Sequence, residues 1–265
     1  MEVGLSTASF YPDALTEQAI PLIHELVIKK AEILLESFSE YTEDFCIMVK
    51  DKLDRYGIEA YSVHALSTQF EPQLFSITER QRRDAREIFI RVLKGAQIMG
   101  AKTYVFHGPP VRANAKPELD YRWIGEITSN LCDIAGEYGV KFAWENVHWC
   151  WFSFPEFATR MMEHVRSDNL YFTLDIKQAM RSERDPFDFI RQMGNRLINV
   201  HACDFDGDGN LYLPGQGSFD FKRLRQELDK VGYQGPIILE VYRNNYNHYR
   251  DMTESLDFLQ NIFEY

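Results

Sequence analysis

No apolar run in the 265-residue chain approaches the ~20 residues that a membrane-spanning helix requires. Cysteine is scarce: Cys46, Cys132, Cys150 and Cys203 are scattered and form no C-x-x-C pair. That pattern suits reduced thiols and argues against a disulfide framework or a thiolate zinc site. Positive charge is also short, with 29 Lys and Arg against 40 Asp and Glu, a formal net charge of −11. Such a balance disfavours a phosphate backbone as partner, because nucleic-acid affinity rests largely on Lys and Arg. The basic stretch at 80–86 falls on a predicted helix and reads as a solvated face. No Gly-rich phosphate loop is present. The start, Met1-Glu-Val-Gly4, lacks the charged and apolar regions of a signal peptide. The expectation is a cytoplasmic protein with a small-molecule partner, no nucleic acid and no membrane.

What is there begins with an acidic run, DFDGDGN, starting at Asp204. Asp204, Asp206, Asp208 and Gly209 match the opening of a helix–loop–helix calcium site. The closing bidentate glutamate does not follow: its position is Gly215, with Pro214 where a second helix should begin. The preceding LINVHA reads as a strand. Calcium is therefore set aside, and Asp206 and Asp208 are read as turn residues.

Short β-rich runs alternate with longer amphipathic segments along the whole chain. The candidate strands are 3–8, 31–36, 58–64, 102–107, 141–146, 170–175, 197–201 and 237–242. Helical patterns fall at about 16–27, 42–55, 78–99, 120–138, 154–165, 184–194, 219–231 and 247–263. Thr42, Thr78 and Asp120 are placed as N-caps, and Gly57, Gly100, Gly139 and Gly232 stand where a left-handed C′ residue is wanted. With 45% hydrophobic and 14% aromatic residues the chain can bury a large core. No linker breaks the series, so residues 1–265 read as one domain. Eight strands alternating with eight helices is the count of an α/β (β/α)8 TIM barrel.

An open, doubly wound sheet could use the same alternation. The strand ends decide against it. Seven candidate strands end in Glu36, His64, His107, Glu145, Asp175, His201 and Glu240. A barrel brings these ends to one mouth; an open sheet spreads its outer strands too far apart. Counting back by two gives an inward set, Leu34, Ser62, Val105, Ala143, Thr173, Asn199 and Ile238, smaller and mixed. The opposite set, Leu35, Val63, Phe106, Trp144, Leu174, Val200 and Leu239, is large and apolar, as expected under a ring of helices. In this geometry Glu145, Asp175, His201 and Glu240 sit on neighbouring staves. Three carboxylates and an imidazole suit one divalent cation, Mn²⁺ or Mg²⁺ first, with Co²⁺ or Zn²⁺ as further options.

The stretches FAWENV, FTLDIKQA, INVHACD, LPGQGSFDF and IILEVY resemble, in order and spacing, the xylose isomerase-like barrel superfamily of sugar isomerases and epimerases. VHA at 63–65 and VFHGP at 105–109 match its third- and fourth-strand signatures more loosely. The resemblance implies that Glu145, Asp175, His201 and Glu240 bind one divalent metal, with Glu145 and Glu240 also serving as the acid/base pair. Two departures stand out. Many members carry His three residues after the strand-six Asp, where this chain has Gln178; and Phe219-Asp220-Phe221 stands where the related DNA-repair endonucleases carry an Asp-x-His metal pair. With the acidic composition, that disfavours the endonuclease activity.

The implied chemistry is removal of a proton next to a carbonyl. An enediolate follows, and the proton returns to the same carbon (epimerisation) or to its neighbour (isomerisation). Candidate substrate contacts are His64, His107, Lys177, Gln178, Asp204, Trp149, Trp151 and Arg243. Plainer readings stand beside these. His64 and His107 could be hydrogen-bonded structural residues, and Glu145 and Glu240 could pair with Lys141 or Arg243. Glu36 could be a cap or an ion-pair partner. Phe152, with its two neighbouring tryptophans, could be pocket wall or loop core, and Lys177 a surface residue. Cys150 beside His148 lacks an orienting acid for a nucleophile reading. A polyol dehydratase using the same enediolate, and a non-catalytic sugar-binding barrel, remain as alternatives. Homo-oligomerisation stays open.

Overall fold

The structure, a computed structural model, describes residues 1–111 and 118–264. The apolar runs form the strands β1 (Val3–Ser6), β2 (Lys30–Leu35), β3 (Glu59–Ala65), β4 (Thr103–Phe106), β5 (Lys141–Glu145), β6 (Leu170–Asp175) and β7 (Leu197–Ala202). A two-residue pair, β8 (Asp204–Phe205) and β9 (Leu211–Tyr212), precedes β10 (Ile237–Leu239). Strands β1 to β7 and β10 close a parallel barrel, with β10 seated between β7 and β1. Closure runs through Gly4↔Ile238 and Leu5↔Leu239. Gly4 is needed there, since a Cβ would lie 2.5 Å from Ile238 Cδ1 and 2.9 Å from the Lys30 carbonyl oxygen.

The helices are α1 (Thr16–Glu25), α2 (Glu43–Tyr56), α3 (Glu71–Leu74), α4 (Glu79–Met99), α5 (Tyr121–Glu137), α6 (Glu156–His164), α7 (Ile176–Arg181), α8 (Pro186–Met193), α9 (Phe221–Lys230) and α10 (Met252–Phe263). Thr42 accepts from the Phe45 N–H and Asp120 from that of Trp123, as the capping pattern predicts. Thr78 does not cap α4 with its side chain; instead its own N–H donates to Ser76 Oγ at 3.1 Å. Gly57, Gly100, Gly139 and Gly232 all adopt positive φ after their helices. Among the described residues, no helix is long and apolar enough to cross a membrane.

The strand alternation divides the interior into two compartments. Leu35, Val63, Phe106, Trp144, Leu174, Val200 and Leu239 are fully buried in the large core between barrel and helices. Leu34, Val105, Ala143 and Ile238 are buried too, but lie outside that core cluster, in the barrel lumen. The lumen is therefore the compartment into which the polar strand ends project.

Candidate functional site

Adjacent strands β5, β6, β7 and β10 carry Glu145, Asp175 and His201 at or near their ends and Glu240 one residue beyond. Asp175 stands opposite His201 in the ladder, and Ile238 pairs with His201 on the other side. The Glu240 N–H still donates to the Ala202 carbonyl at 3.1 Å, which fixes its carboxylate at the mouth. Asn146 ties the β5 and β6 ends together, accepting from the Asp175 N–H at 2.8 Å and donating to the Asp175 carbonyl at 2.9 Å. All four candidate ligands are buried.

The imidazole of His201 is the hub. Its Nδ1 lies 3.2 Å from Glu240 Oε2, 3.3 Å from Glu145 Oε1 and 3.8 Å from Asp175 Oδ2. Its Nε2 lies 3.0 Å from Glu32 Oε2 on the lumen side. Glu32 also accepts from Ser62 Oγ at 2.7 Å and Asn199 Nδ2 at 3.0 Å. A carboxylate behind a histidine in this way fixes the ring and turns its other nitrogen toward a metal. Glu32 is not among the site residues that the strand ends single out; for that strand they point to Glu36. Glu36 lies past the end of β2 and outside the cluster, where burial and the neighbouring Glu40 and Glu17 raise its carboxyl to about 7. The signal was nonetheless present: Glu32 has the inward parity of Leu34 and is the lone carboxylate in KAEILL.

On the far side, His107 Nε2 approaches Glu145 Oε2 at 2.8 Å, and its Nδ1 lies 2.8 Å from Ser67 Oγ. His64 packs its ring edge-on against His107 at 4.4 Å between centroids. Lys177 is buried, not a surface residue. Its Nζ donates to Asp175 Oδ2 and, at 2.7 Å, to Glu240 Oε1. The barrel thus joins His64, His107 and Lys177 to the four predicted ligands.

Other expected contacts sit elsewhere. Arg243 is held by Asp13 and by the carbonyl of Tyr246, and no ion pair or hydrogen bond among the described residues links it to the cluster. The Asp204 carboxylate, a candidate substrate contact, accepts instead from the N–H groups of Phe205, Gly215, Gly217 and Phe219 at 2.8–3.0 Å and so organises its own loop. Asp206 accepts from the N–H groups of Asp208 and Asn210, the turn role expected of it. Gln178 is turned toward His148, whose Nδ1 lies 2.6 Å from its Oε1. Trp149 stands edge-on to His107 at 6.1 Å, on the mouth. Trp151 packs against Phe75 and Trp123, and Phe152 against Phe157, in the surrounding core. Burial pushes the Cys150 thiol well up, away from nucleophilic thiolate.

A family model described as xylose isomerase-like TIM barrel matches residues 25–262. The chain belongs to this family. An uncharacterized protein of Methanocaldococcus jannaschii, MJ1311, is 28% identical over 100% of this chain and 90% of its own length. Inosose isomerase of Bacillus subtilis is 28% identical over 46% of this chain and 47% of that enzyme. Among solved structures, a D-tagatose 3-epimerase-like protein superposes with a TM-score of 0.79 at 27% identity, covering 100% of this chain and 97% of that one.

In this xylose isomerase-like barrel the donor set fits a divalent cation. His201 Nδ1, Glu145 Oε2 and Glu240 Oε2 are buried and meet one another or His107 at ion-pair distance, yet make no aligned hydrogen bond among the described residues, a costly condition unless something else satisfies them. Glu145, Asp175 and His201 each offer one atom within 4.8 Å of the others, as do Glu32, His201 and Glu240. Burial works against charge on both glutamates, yet His107 and His201 hold Glu145 well below the usual carboxylate range. His201 and Lys177 likewise draw Glu240 down to about 2. Burial also opposes a charged imidazole at His201, but Glu240, Glu32 and Glu145 outweigh it and raise its pKa well above the usual range. A divalent ion would supply the positive charge that this proton otherwise brings.

Proposed function

We propose that the protein is a divalent-metal-dependent isomerase or epimerase acting on a sugar or a related polyol-ketone. The observation that carries this reading is the set of buried atoms without an aligned hydrogen bond, His201 Nδ1, Glu145 Oε2 and Glu240 Oε2, gathered with Asp175 at one barrel mouth. Likeness to a D-tagatose 3-epimerase-like structure and to an inosose isomerase supports the substrate class. Glu145, Asp175, His201 and Glu240 would hold the ion. When bound, it supplies Lewis-acid stabilisation of negative charge on a substrate oxygen, a contribution of several kcal/mol.

The chain's own residues handle the proton. Glu145 and Glu240 stand on either side of His201 Nδ1, at 3.3 and 3.2 Å, and both are held ionised. One carboxylate removes the proton next to a substrate carbonyl and becomes the acid; that proton, or one that the opposite carboxylate has first taken from water, is then delivered to the enediolate. Return to the same carbon gives the epimer; return to its neighbour gives the isomer. His107 orients Glu145 from its second oxygen, and Trp149 contributes an aromatic wall beside His107. Fixed donors and acceptors in a buried mouth lower the barrier without reorganising during the reaction.

The test is deuterium uptake from D₂O into a panel of ketoses by the Mn²⁺-loaded protein. Glu240→Gln should keep most of its metal binding and lose about 10²–10⁴-fold in exchange rate. Unchanged exchange in the variant removes Glu240 from the mechanism. Loss of water from the substrate, instead of exchange, would assign the same mouth to a dehydratase.

A further inference from the structure

We propose that Lys177 is a tethered competitor for the divalent cation. Its ammonium holds Asp175 and Glu240 until the ion enters, and must then give up the Asp175 carboxylate. The proposal rests on the metal reading of this mouth and adds what sets the affinity.

Asp175 has two oxygens, and both are engaged. Oδ1 accepts the Gln178 N–H at 2.9 Å and so caps α7, while Oδ2 accepts Lys177 Nζ. Oδ2 is also the oxygen 3.8 Å from His201 Nδ1, the nitrogen that Glu145 and Glu240 approach as well. An ion drawing on Asp175 therefore meets the lysine on the oxygen it needs. An ammonium and a divalent cation on one buried oxygen repel with little water to screen them. Glu240 differs: Oε1 is held by Lys177 at 2.7 Å, while Oε2 faces His201 Nδ1 at 3.2 Å and takes no bond from the lysine. The contest is therefore over Asp175.

The lysine has somewhere to go. Its Nζ lies 5.6 Å from the centre of the Tyr242 ring, whose residue is 37% exposed at the rim. That cation–π contact is already made beside the ion pairs, on a ring that Arg181 also faces at 5.0 Å, and it is kept when the ammonium moves outward from Asp175. The short link from Asp175 to Lys177 in the first turn of α7 keeps the ammonium local throughout. Apparent metal affinity is then the intrinsic affinity scaled by the fraction of molecules whose lysine has withdrawn.

Calorimetric titration of Mn²⁺ into metal-free wild type, Lys177→Met and Lys177→Gln tests this. The Gln variant keeps a neutral donor should the Met variant fold poorly. Each folded variant should bind Mn²⁺ about tenfold or more tightly than wild type, and metal-free wild type should melt above metal-free Lys177→Met. Binding by the variants alone supports the proposal in its strongest form. Equal or weaker binding by the variants, with wild type binding normally, overturns the role of Lys177 and leaves the metal reading standing. No binding by any of the three overturns both. In wild type, the Lys177 Nζ resonance should move when Mg²⁺ is added; an unmoved resonance in ion-loaded protein overturns the proposal without any variant.

Discussion

Glu71, in the short helix α3, clamps the end of β4 from outside the barrel. Its carboxylate accepts from Tyr104 Oη at 2.5 Å and from the His107 and Gly108 N–H groups at 3.0 Å. Through those bonds it sets the height of His107, and so of the contact between His107 and Glu145. Burial outweighs the donors and raises its pKa to about 7 from an ordinary 4.5. A carboxyl with a raised folded-state pKa favours the folded state at low pH. That contribution is complete below about 4.5 and is lost as pH rises through about 7. The difference corresponds to about 3 kcal/mol across the window. Glu71→Gln, which cannot ionise, should remove this part of the slope. Urea unfolding of wild type and variant at several pH values through that range would show wild type losing stability and the variant staying flatter; parallel slopes would mean that the three donors keep Glu71 ionised in the folded state.

The hairpin β8–β9 and the loop that follows it are one element built on Asp204. Four backbone N–H groups converge on its carboxylate, and the chain passes so close that Gly217 has no room for a side chain. A Cβ there would lie 2.4 Å from Asp204 Oδ1 and 2.6 Å from the Phe205 carbonyl oxygen, both held fixed by the same network. Gly217→Ala should cost about 1–3 kcal/mol, a fall of several degrees in Tm for a chain of this size. It should also speed proteolysis at 206–210. Gly207→Ala, with nothing within 4 Å of the new methyl, is the control and should change neither. Equal melting of the two variants would show that the loop yields. This element marks the boundary of what the sequence made legible. Long elements with a clear period, α4 and α5 among the helices and β3 to β7 among the strands, were readable because one face buries and the pattern repeats. The meeting of Glu145, Asp175, His201 and Glu240 at one mouth was readable because their spacing follows the strand period. Elements shorter than two repeats, such as α3, α7, β8 and β9, leave no periodic trace. Glu32 shows the cost of a misplaced strand end: with β2 ending at Leu35, the carboxylate that reaches the lumen lies four residues before Glu36. Lys177 was legible as a residue type close to Asp175, but its pairing with Glu240, 63 positions away, exists only in the closed barrel.

At the scale of the whole molecule, closure and site assembly are one event. Glu240 follows β10, the strand that completes the ring by pairing with β1, so an open barrel leaves the cluster of Glu145, Asp175, His201 and Glu240 incomplete. The seam is reinforced by its ends: the Met1 amino group donates to the Phe263 carbonyl at 3.0 Å, and the Val3 N–H to Glu264 Oε1 at 2.8 Å. Over the seam lies α10, which buries Met252, Leu256, Leu259 and Phe263. At about 1.5–3 kcal/mol for each large apolar side chain, those four contribute about 6–12 kcal/mol. That is comparable to the entire stability of an ordinary domain, about 5–15 kcal/mol. A chain ending at residue 251 should therefore fail to fold cooperatively in urea, and should lose Mn²⁺ binding although it retains Glu145, Asp175, His201 and Glu240. Leu259→Ala should cost only about 2–5 kcal/mol and leave metal binding intact in the folded fraction. A truncated chain that unfolds cooperatively and still binds the ion would mean that the β1–β10 ladder closes the barrel without α10, and that the cluster depends on the strands alone.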